Sequence, residues 1–169
     1  MQNNNTVAIL GAGSAIGQFI AEKIAGNYPL LLMDNSAETL NRLTELLTGK
    51  FATPQIEMIV CSKEASWEAD IIIIAAEHAQ EQEAIANKIN EVTTCKTVIQ
   101  IKPATADIAS LQAILPYSKF ISVDWANTAA IVEGNDEASI SITGELVHLC
   151  GLKPIFKKPL HPLTSVIRY

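Results

Sequence analysis

The chain has 169 residues, a formal net charge of −6 and a hydrophobic fraction of 49 %. At about 150 residues per domain, this length predicts one domain that spans residues 1–169 and buries its core without disulfides. The acidic balance argues against a nucleic-acid-binding protein, which usually has a basic face, and the charged fraction of 18 % argues against disorder.

The first half of the chain alternates short apolar runs with amphipathic stretches. Ile16, Ile20 and Ile24 recur at the spacing of one helix face, and Ser36 is placed to cap the next helix. The four consecutive isoleucines at 71–74 indicate a strand that is buried on both faces, as in a parallel sheet. The pattern predicts strands at 6–10, 30–33, 57–60 and 70–75, and helices at 14–25, 36–49 and 77–91.

The second half continues the same alternation. Gly151 and Pro154 follow the last helical stripe in the order that is typical of a helix end. Repeated strand–helix alternation predicts an α/β fold, with a three-layer, doubly wound and mainly parallel sheet that has helices on both faces. The predicted strands lie at 97–101, 119–123 and 129–133, with a last one beginning at 155–156, and the predicted helices at 106–115 and 136–150.

A glycine-rich segment, residues 11–17 (G-A-G-S-A-I-G), connects the first predicted strand to the first predicted helix. Its spacing is G-x-G-x-x-x-G, one residue longer than the stricter G-x-G-x-x-G. We expect Gly11 to permit a tight turn, Gly13 to let a pyrophosphate approach, and Gly17 to bring the helix close to the sheet. The N–H groups at 14–16 and the helix dipole would bind the anion. The segment predicts a dinucleotide site, and a tight turn without a ligand is the alternative.

Asp34 ends the second predicted strand, 23 positions after Gly11. A carboxylate there can bind the hydroxyls of an adenosine ribose and would repel a 2′-phosphate. Asn35 and Ser36 follow, and no basic residue occurs before Arg42 to hold such a phosphate. The sequence therefore predicts NAD(H) rather than NADP(H) as the cofactor, and a plain turn or cap role for Asp34 is the alternative.

Five later segments carry a further signal, although each is short. Residues 69–76 read A-D-I-I-I-I-A-A, residues 96–103 K-T-V-I-Q-I-K-P, and residues 124–128 D-W-A-N-T. Residues 133–138 read E-G-N-D-E-A, and residues 151–154 read G-L-K-P. With the glycine turn, these segments resemble the dinucleotide-binding oxidoreductases typified by the deazaflavin (coenzyme F-420)-dependent NADP oxidoreductases. Relatives of that family include the nucleotide domains of 6-phosphogluconate dehydrogenase and pyrroline-carboxylate reductase.

The resemblance implies an NAD(P)-dependent oxidoreductase that transfers a hydride between a nicotinamide cofactor and a flavin-like or small carbonyl acceptor. It assigns no catalytic residue, since the cofactor carries the chemistry and the protein positions it. Asn127 would line the substrate side of the cleft. The implied cofactor contacts are Gly11, Gly13, Ser14, Ala15 and Ile16 at the pyrophosphate, Asp34 with Asn35 at the adenosine ribose, Ala75, Ala76 and His78 along the central stretch, and Lys102 with Pro103 near the nicotinamide.

Four features depart from the family pattern, and one is that Trp125 and Ala126 invert the family's order of small and aromatic residues. Asp34 stands where the NADP-using members carry a phosphate-binding polar or basic residue. Glu77 and His78 stand where the family usually has a proline-containing loop over the cofactor. The chain also ends at Tyr169, soon after the last predicted strand, whereas family members usually continue with further helices.

The short carboxyl-terminal part favours a second hypothesis, a non-catalytic dinucleotide-binding sensor or scaffold module on the same fold. A weaker alternative is a nucleotide-sugar or mononucleotide binder that uses the same glycine turn. Another is a short-chain dehydrogenase-like nucleotide binder, although neither Tyr28 nor Tyr117 has the lysine four positions later that those enzymes use.

None of the three histidines lies at a metal-binding spacing such as H-E-x-x-H, so no metal site is predicted. His78 follows a predicted strand end, where it could polarise a carbonyl, touch a phosphate or simply face solvent at the start of a helix. We expect His148 on a helix, at the surface or in packing, and His161 in a terminal loop.

The three cysteines form no C-x-x-C pair, which indicates buried or half-buried free thiols in a reducing compartment. The amino terminus has no secretory pattern and the apolar run 71–76 is too short to cross a bilayer, so we expect a cytoplasmic protein without membrane contact. A homodimer is also expected, since so short a chain needs a neighbour to exclude water from its cleft. The apolar residues of segment 159–169 would pack across that interface.

Overall fold

Strands and helices alternate along the chain, as the hydrophobic periodicity predicts. The computed structural model describes residues 4–52, 54–103 and 111–157. The strands are β1 (Val7–Leu10), β2 (Leu30–Met33), β3 (Ile56–Met58), β4 (Ile71–Ile74), β5 (Thr97–Ile101), β6 (Lys119–Trp125), β7 (Ala129–Gly134) and β8 (Lys153–Lys157). The α-helices are α1 (Ala15–Ile24), α2 (Ala37–Lys50), α3 (Ser62–Glu68), α4 (Ala79–Ile89) and α5 (Glu137–Leu149), with 3-10 turns at Asn90–Val92 and Leu111–Ala113.

The strands form one sheet in the order β3-β2-β1-β4-β5-β6-β7-β8. Neighbouring strands are parallel, except that β6 and β7 pair antiparallel, and β8 then runs parallel to β7. The chain moves outward from β1 to β3 and then returns to place β4 on the other side of β1. Ligands of such sheets bind outside the carboxyl ends of the strands at this reversal. The predicted doubly wound, mainly parallel α/β fold is confirmed.

Two apolar clusters cover the two faces of the sheet and make three layers. One cluster joins the sheet to the buried stripes of α1, α2 and α5, and the other joins it to α3 and α4. The isoleucines of β4 alternate between them, with Ile71 and Ile73 in the first cluster and Ile72 and Ile74 in the second. Each is at most 2 % exposed, so β4 is buried on both faces, as its sequence predicts.

Three helices begin at a residue whose side chain accepts a hydrogen bond from the first helical turn. Ser14, Ser36 and Asp136 stand before α1, α2 and α5, and each accepts from the N–H of the third helical residue. Such caps satisfy N–H groups that have no partner inside the helix. The hydrogen bonds from Ser139 also lower the pKa of the Asp136 carboxyl. The predicted cap at Ser36 is confirmed.

Helix α3 is missing from the sequence prediction because it has no apolar stripe. It has seven residues, and its buried side chains are two serines and one alanine. A contact from distant sequence supports it instead, since the Lys96 ammonium donates hydrogen bonds to the carbonyl oxygens of Ser66, Trp67 and Ala69 at its carboxyl end. Partial burial lowers the pKa of the Lys96 ammonium.

Several predicted boundaries were wrong. Strand β6 extends to Trp125 rather than to 123, and β8 begins at Lys153 rather than at 155. The third strand covers Ile56–Met58 rather than 57–60, so it begins and ends earlier than its apolar residues suggest. Helix α4 begins at Ala79 rather than at Glu77, because His78 has an extended backbone with φ −108° and ψ 138°. Glu77 and His78 therefore belong to the loop that follows β4.

Part of the predicted helix 106–115 lies in the described residues. Its section from residue 111 contains only the 3-10 turn Leu111–Ala113, with no α-helix. Residues 106–110 lie outside the described residues, as do His161 and the apolar segment 159–169.

All three cysteines are free thiols, but two of them are not buried. Cys61 and Cys95 are exposed, so the expectation of buried or half-buried thiols is right only for Cys150. Cys61 precedes α3, and Cys95 lies in the turn before β5 with a positive φ of 62°. Burial raises the pKa of the Cys150 thiol to about 12.

Candidate functional site

The turn between β1 and α1 packs tightly against the ends of β2 and β4. Gly11 has a φ of +85°, which glycine adopts without the strain of a side chain. The N–H groups of Gly11 and Ala12 donate to the Met33 carbonyl oxygen at 2.9 and 3.0 Å. A Cβ atom at Gly11 would lie 2.6 Å from the Ala76 nitrogen, so the turn requires glycine for space as well as for conformation.

Ser14 connects this turn to β4 and starts α1. Its hydroxyl accepts a hydrogen bond from the Gly17 N–H at 2.9 Å and donates one to the Ala75 carbonyl oxygen at 2.7 Å. A Cβ atom at Gly17 would overlap the Gly11 carbonyl oxygen. The helix therefore begins in close contact with the turn, and the first N–H groups of a helix have no partner inside it.

Asp34 lies beside the turn at the end of β2. Its Oδ1 accepts from the Gly13 N–H at 3.0 Å, and its Oδ2 accepts from the Ser36 N–H at 2.9 Å. A Cβ atom at Gly13 would lie 2.6 Å from the Asp34 Cγ. The position of the Asp34 side chain therefore requires glycine at 13. This requirement is additional to the space that a pyrophosphate is expected to need there. A carboxylate has about four acceptor positions, so Asp34 keeps capacity for further hydroxyl donors.

A cleft of about 290 Å³ opens between the glycine turn, the end of β2 and the start of α4. Seven of the residues predicted at the cofactor line it. They are Gly11, Gly13, Ser14, Asp34, Asn35, Ala76 and His78. The other lining residues are Met33, Ser62, Glu77, Glu81, Ala84, Ile85 and Lys88.

The remaining residues predicted at the cofactor or substrate do not line this cleft. Ala15 and Ile16 form the first turn of α1, and the buried Ala75 carbonyl oxygen binds Ser14. Lys102 is exposed after β5, where its N–H donates to the Val123 carbonyl oxygen at 2.9 Å. Pro103 is half-buried beside it, and Asn127 is exposed in the turn between β6 and β7. None of these residues is among those that line the described cleft.

The loop after β4 carries two polar side chains on the cleft wall. His78 precedes α4, is exposed and makes no side-chain hydrogen bond that caps the helix. Glu77 lines the cleft, and its Oε1 accepts a hydrogen bond from the Ala15 N–H at 3.3 Å. Sequence reasoning noted Glu77 only as a departure from the family loop. Its acidic character directly after a buried strand was the available signal.

A buried glutamine pair holds the strand ends behind the cleft. The fully buried Gln82 donates from Nε2 to the carbonyl oxygens of Ala76 at 2.9 Å and Ile101 at 2.8 Å. Its Oε1 accepts from the Gln100 Nε2 at 2.9 Å. Sequence reasoning missed Gln82. The available signal was the spacing along α4, since Gln82 lies four residues before Ala86 and seven before Ile89, on the same apolar stripe.

The described ranges contain neither a metal-binding cluster nor a membrane-spanning helix. Within residues 4–52, 54–103 and 111–157, no cluster of three or more His, Cys, Asp or Glu side chains is arranged to hold a metal ion. In the same ranges, no helix has the length and apolar character needed to cross a bilayer.

No protein-family model and no curated protein matches the chain, whereas solved structures do. A diketoreductase matches with a TM-score of 0.70 at 21 % identity, over 98 % of this chain and 69 % of its own. A protein from Arthrobacter sp. FB24, described as a coenzyme F-420-dependent NADP reductase, matches with a TM-score of 0.70 at 15 % identity, over 90 % and 84 %. Pyrroline carboxylate reductase from Plasmodium falciparum, with NADP bound, has a TM-score of 0.65 at 15 % identity, over 92 % and 57 %.

These identities are all below 25 %, so the likeness shows the fold. The neighbours are Rossmann-type reductases, and they include the F-420-dependent type that the sequence segments resemble. The expected resemblance in fold is confirmed. This chain spans little more than half of the pyrroline carboxylate reductase chain, so the activity of that whole protein is not transferred to it.

Replacing Gln82 tests the hydrogen bonds behind the cleft. We expect Gln82→Met to lower the free energy of unfolding by about 1–3 kcal/mol, because it leaves buried carbonyl groups at Ala76 and Ile101 without their donor. Urea unfolding measures this change. Gln80→Met, at an exposed position of the same helix, is the control and should change it by less than about 0.5 kcal/mol. Equal stability of the two variants would contradict the assigned role.

Proposed function

We propose that the chain forms one NAD(P)-binding domain, residues 1–169, of an oxidoreductase that prefers NAD(H). The observation that carries the proposal is the Asp34 carboxylate, held on the Gly13 N–H at 3.0 Å beside the start of α1. This arrangement supplies an acceptor for ribose hydroxyls in the cleft and N–H donors for a pyrophosphate at the adjoining start of α1. The shared fold of the solved reductases supports the proposal without extending their substrates to this chain.

The residues of the cleft fit a dinucleotide. The pyrophosphate would bind at the N–H groups of Ala15 and Ile16, which open α1 next to the side-chain-free Gly13. The adenosine ribose would bind the remaining acceptor positions of Asp34, with Asn35 beside it on the cleft wall. The central stretch would pass Ala75, Ala76 and His78, toward Lys102 and Pro103 at the end of β5.

The preference for NAD(H) rests on charge. A carboxylate at Asp34 accepts hydrogen bonds from a free 2′-hydroxyl and repels a 2′-phosphate. The described cleft wall has one lysine, Lys88, which lies on α4 rather than after β2, where a clamp for a 2′-phosphate would be expected. One solved neighbour carries NADP and another carries NAD+, so the fold occurs with either cofactor and the proposed preference rests on the residue after β2.

The proposed chemistry is transfer of a hydride to or from a flavin-like or small carbonyl acceptor, with the nicotinamide supplying the hydride when bound. The chain's own groups would then mainly position the ring and exclude water. Asn127 would line the acceptor side, and His78 on the cleft wall would polarise a carbonyl. The short-chain dehydrogenase alternative gains no support, since Tyr28 is 2 % exposed in the core and Tyr117 precedes β6 at the opposite end of the sheet.

A second candidate function is a non-catalytic dinucleotide sensor or scaffold. It is favoured by the position of the acceptor-side residues, since Lys102, Pro103 and Asn127 do not line the described cleft. Such a module would bind the dinucleotide through the same glycine turn and respond to it without turnover.

Cofactor preference tests the role of Asp34. By isothermal titration calorimetry, we expect NADH to bind at least about tenfold more tightly than NADPH. Asp34→Asn keeps an oxygen for the Gly13 N–H and removes the charge, so it should reduce this ratio by about fivefold. Glu45→Gln, at an exposed position of α2, is the charge-matched control and should leave the ratio unchanged. Tighter binding of NADPH than NADH by the wild-type chain would contradict the preference.

Turnover separates the enzyme from the sensor. We expect steady oxidation of NADH, followed at 340 nm, when a flavin, a deazaflavin or a panel of small carbonyl compounds is supplied. The Asp34→Asn variant should lose NADH turnover in proportion to its loss of affinity, which excludes a contaminating enzyme. Saturable binding of NADH without turnover with any acceptor would contradict catalysis and support the sensor.

The proposal includes a homodimer in the cytoplasm. Ile131, Ile155 and Phe156 are exposed on β7 and β8, where a second copy could cover them and close the acceptor side of the cleft. The exposed free thiols of Cys61 and Cys95 suit a reducing compartment. Light scattering at micromolar concentration should give twice the chain mass of 18.2 kDa, and a monomer would contradict the dimer.

A further inference from the structure

The cleft proposed for the dinucleotide has an acidic wall. Asp34, Glu77 and Glu81 line it, against one lysine, Lys88. Glu77 is distinct among the three carboxylates, because its Oε1 accepts a hydrogen bond from the Ala15 N–H at 3.3 Å. The two residues are 62 positions apart, so this bond joins the loop after β4 to the first residue of α1. An anion therefore already stands at the amino end of α1.

This position is attractive to any anion. The first N–H groups of a helix have no partner inside it, and the helix dipole places a partial positive charge there. A carboxylate and a phosphate use the same donor and the same charge. The Ala15 N–H cannot give its hydrogen bond to Glu77 and to a ligand phosphate at full strength at the same time.

We propose that Glu77 is an internal competitor for the pyrophosphate, so that a dinucleotide binds by exchanging one anion for another at the start of α1. This inference rests on the proposed function and adds a residue that sets affinity and selects against ligand charge. The dinucleotide displaces the carboxylate from Ala15 and then lies near its negative charge. Both effects weaken the binding of phosphate-bearing ligands, whereas a ligand without phosphates meets neither.

The exchange involves the Glu77 side chain rather than the loop backbone. On one side, the Ala76 backbone packs so closely on Gly11 that a Cβ atom there would lie 2.6 Å from the Ala76 nitrogen. On the other side, the Ala76 carbonyl oxygen accepts the hydrogen bond from Gln82 at 2.9 Å. The Ala76 backbone, which precedes Glu77, is therefore fixed by Gly11 on one side and by Gln82 on the other. The exposed Glu77 side chain can rotate away from α1 into solvent without breaking either contact.

The test compares Glu77→Gln with Glu81→Gln by isothermal titration calorimetry. Glu77→Gln keeps the size of the side chain and removes its charge, so we expect NAD+ to bind about fivefold more tightly than to the wild type. Glu81→Gln removes the same charge from the same cleft without altering the Ala15 contact, and it should tighten NAD+ binding by less than about twofold. Adenosine, which has no phosphate, should bind all three proteins equally.

A second readout uses the ligand-free protein. In ¹H–¹⁵N spectra, the Ala15 amide should shift in Glu77→Gln, where a neutral oxygen replaces the carboxylate that accepts its hydrogen bond, and should stay in place in Glu81→Gln. Equal NAD+ affinity of the wild type and Glu77→Gln, or an equal gain in both variants, would overturn the exchange and leave the proposed function standing. Failure of all three proteins to bind NAD+ would overturn the proposed function and the exchange with it.

Discussion

The close packing of the Gly11 turn between the ends of β2 and β4 is the constraint on which the site depends. The turn is hydrogen-bonded to the Met33 carbonyl oxygen on one side and, through Ser14, to the Ala75 carbonyl oxygen on the other. Any side chain at Gly11 would meet the backbone of Ala76. This contact fixes where α1 starts, and it places Asp34 and the loop after β4 on opposite sides of the first helical N–H groups. The cleft is therefore a consequence of how three strands meet at one turn.

Local patterns were sufficient to predict most of the fold. The alternating burial of Ile71–Ile74 and the cap at Ser36 depend on neighbouring residues, and both are as expected. Helix α3 depends on Lys96, about 30 positions away, and its own residues lack an apolar stripe. The antiparallel pairing of β6 with β7 likewise leaves no periodic signal, since strand direction follows from the length of a turn and not from the alternation of side chains.

The candidate site likewise contains residues that local sequence patterns predict and residues that they do not. Its glycines and Asp34 were recognisable because their spacing along the chain reflects a local turn and the end of the next strand. The contacts made by Glu77 and Gln82 join residues from separate segments, so no short motif contains them. Each of the two residues places a polar side chain in or after an apolar pattern. Such a side chain indicates a hydrogen bond within the protein, but the sequence does not identify the partner. The structure shows that Glu77 contacts the start of α1 and that Gln82 contacts the ends of β4 and β5. Both contacts lie beside the proposed path of the dinucleotide.

A ¹H–¹⁵N titration of the chain with NAD+ tests whether the Gly11 turn and Asp34 form a dinucleotide site. We expect saturable shifts of the backbone amides at Gly13–Ile16 and Asp34–Ser36, with much smaller shifts along β7 and β8. Saturable shifts confined to another surface, such as the groove lined by Tyr28, His148 and Phe156, or no saturable shift at millimolar NAD+, would contradict it.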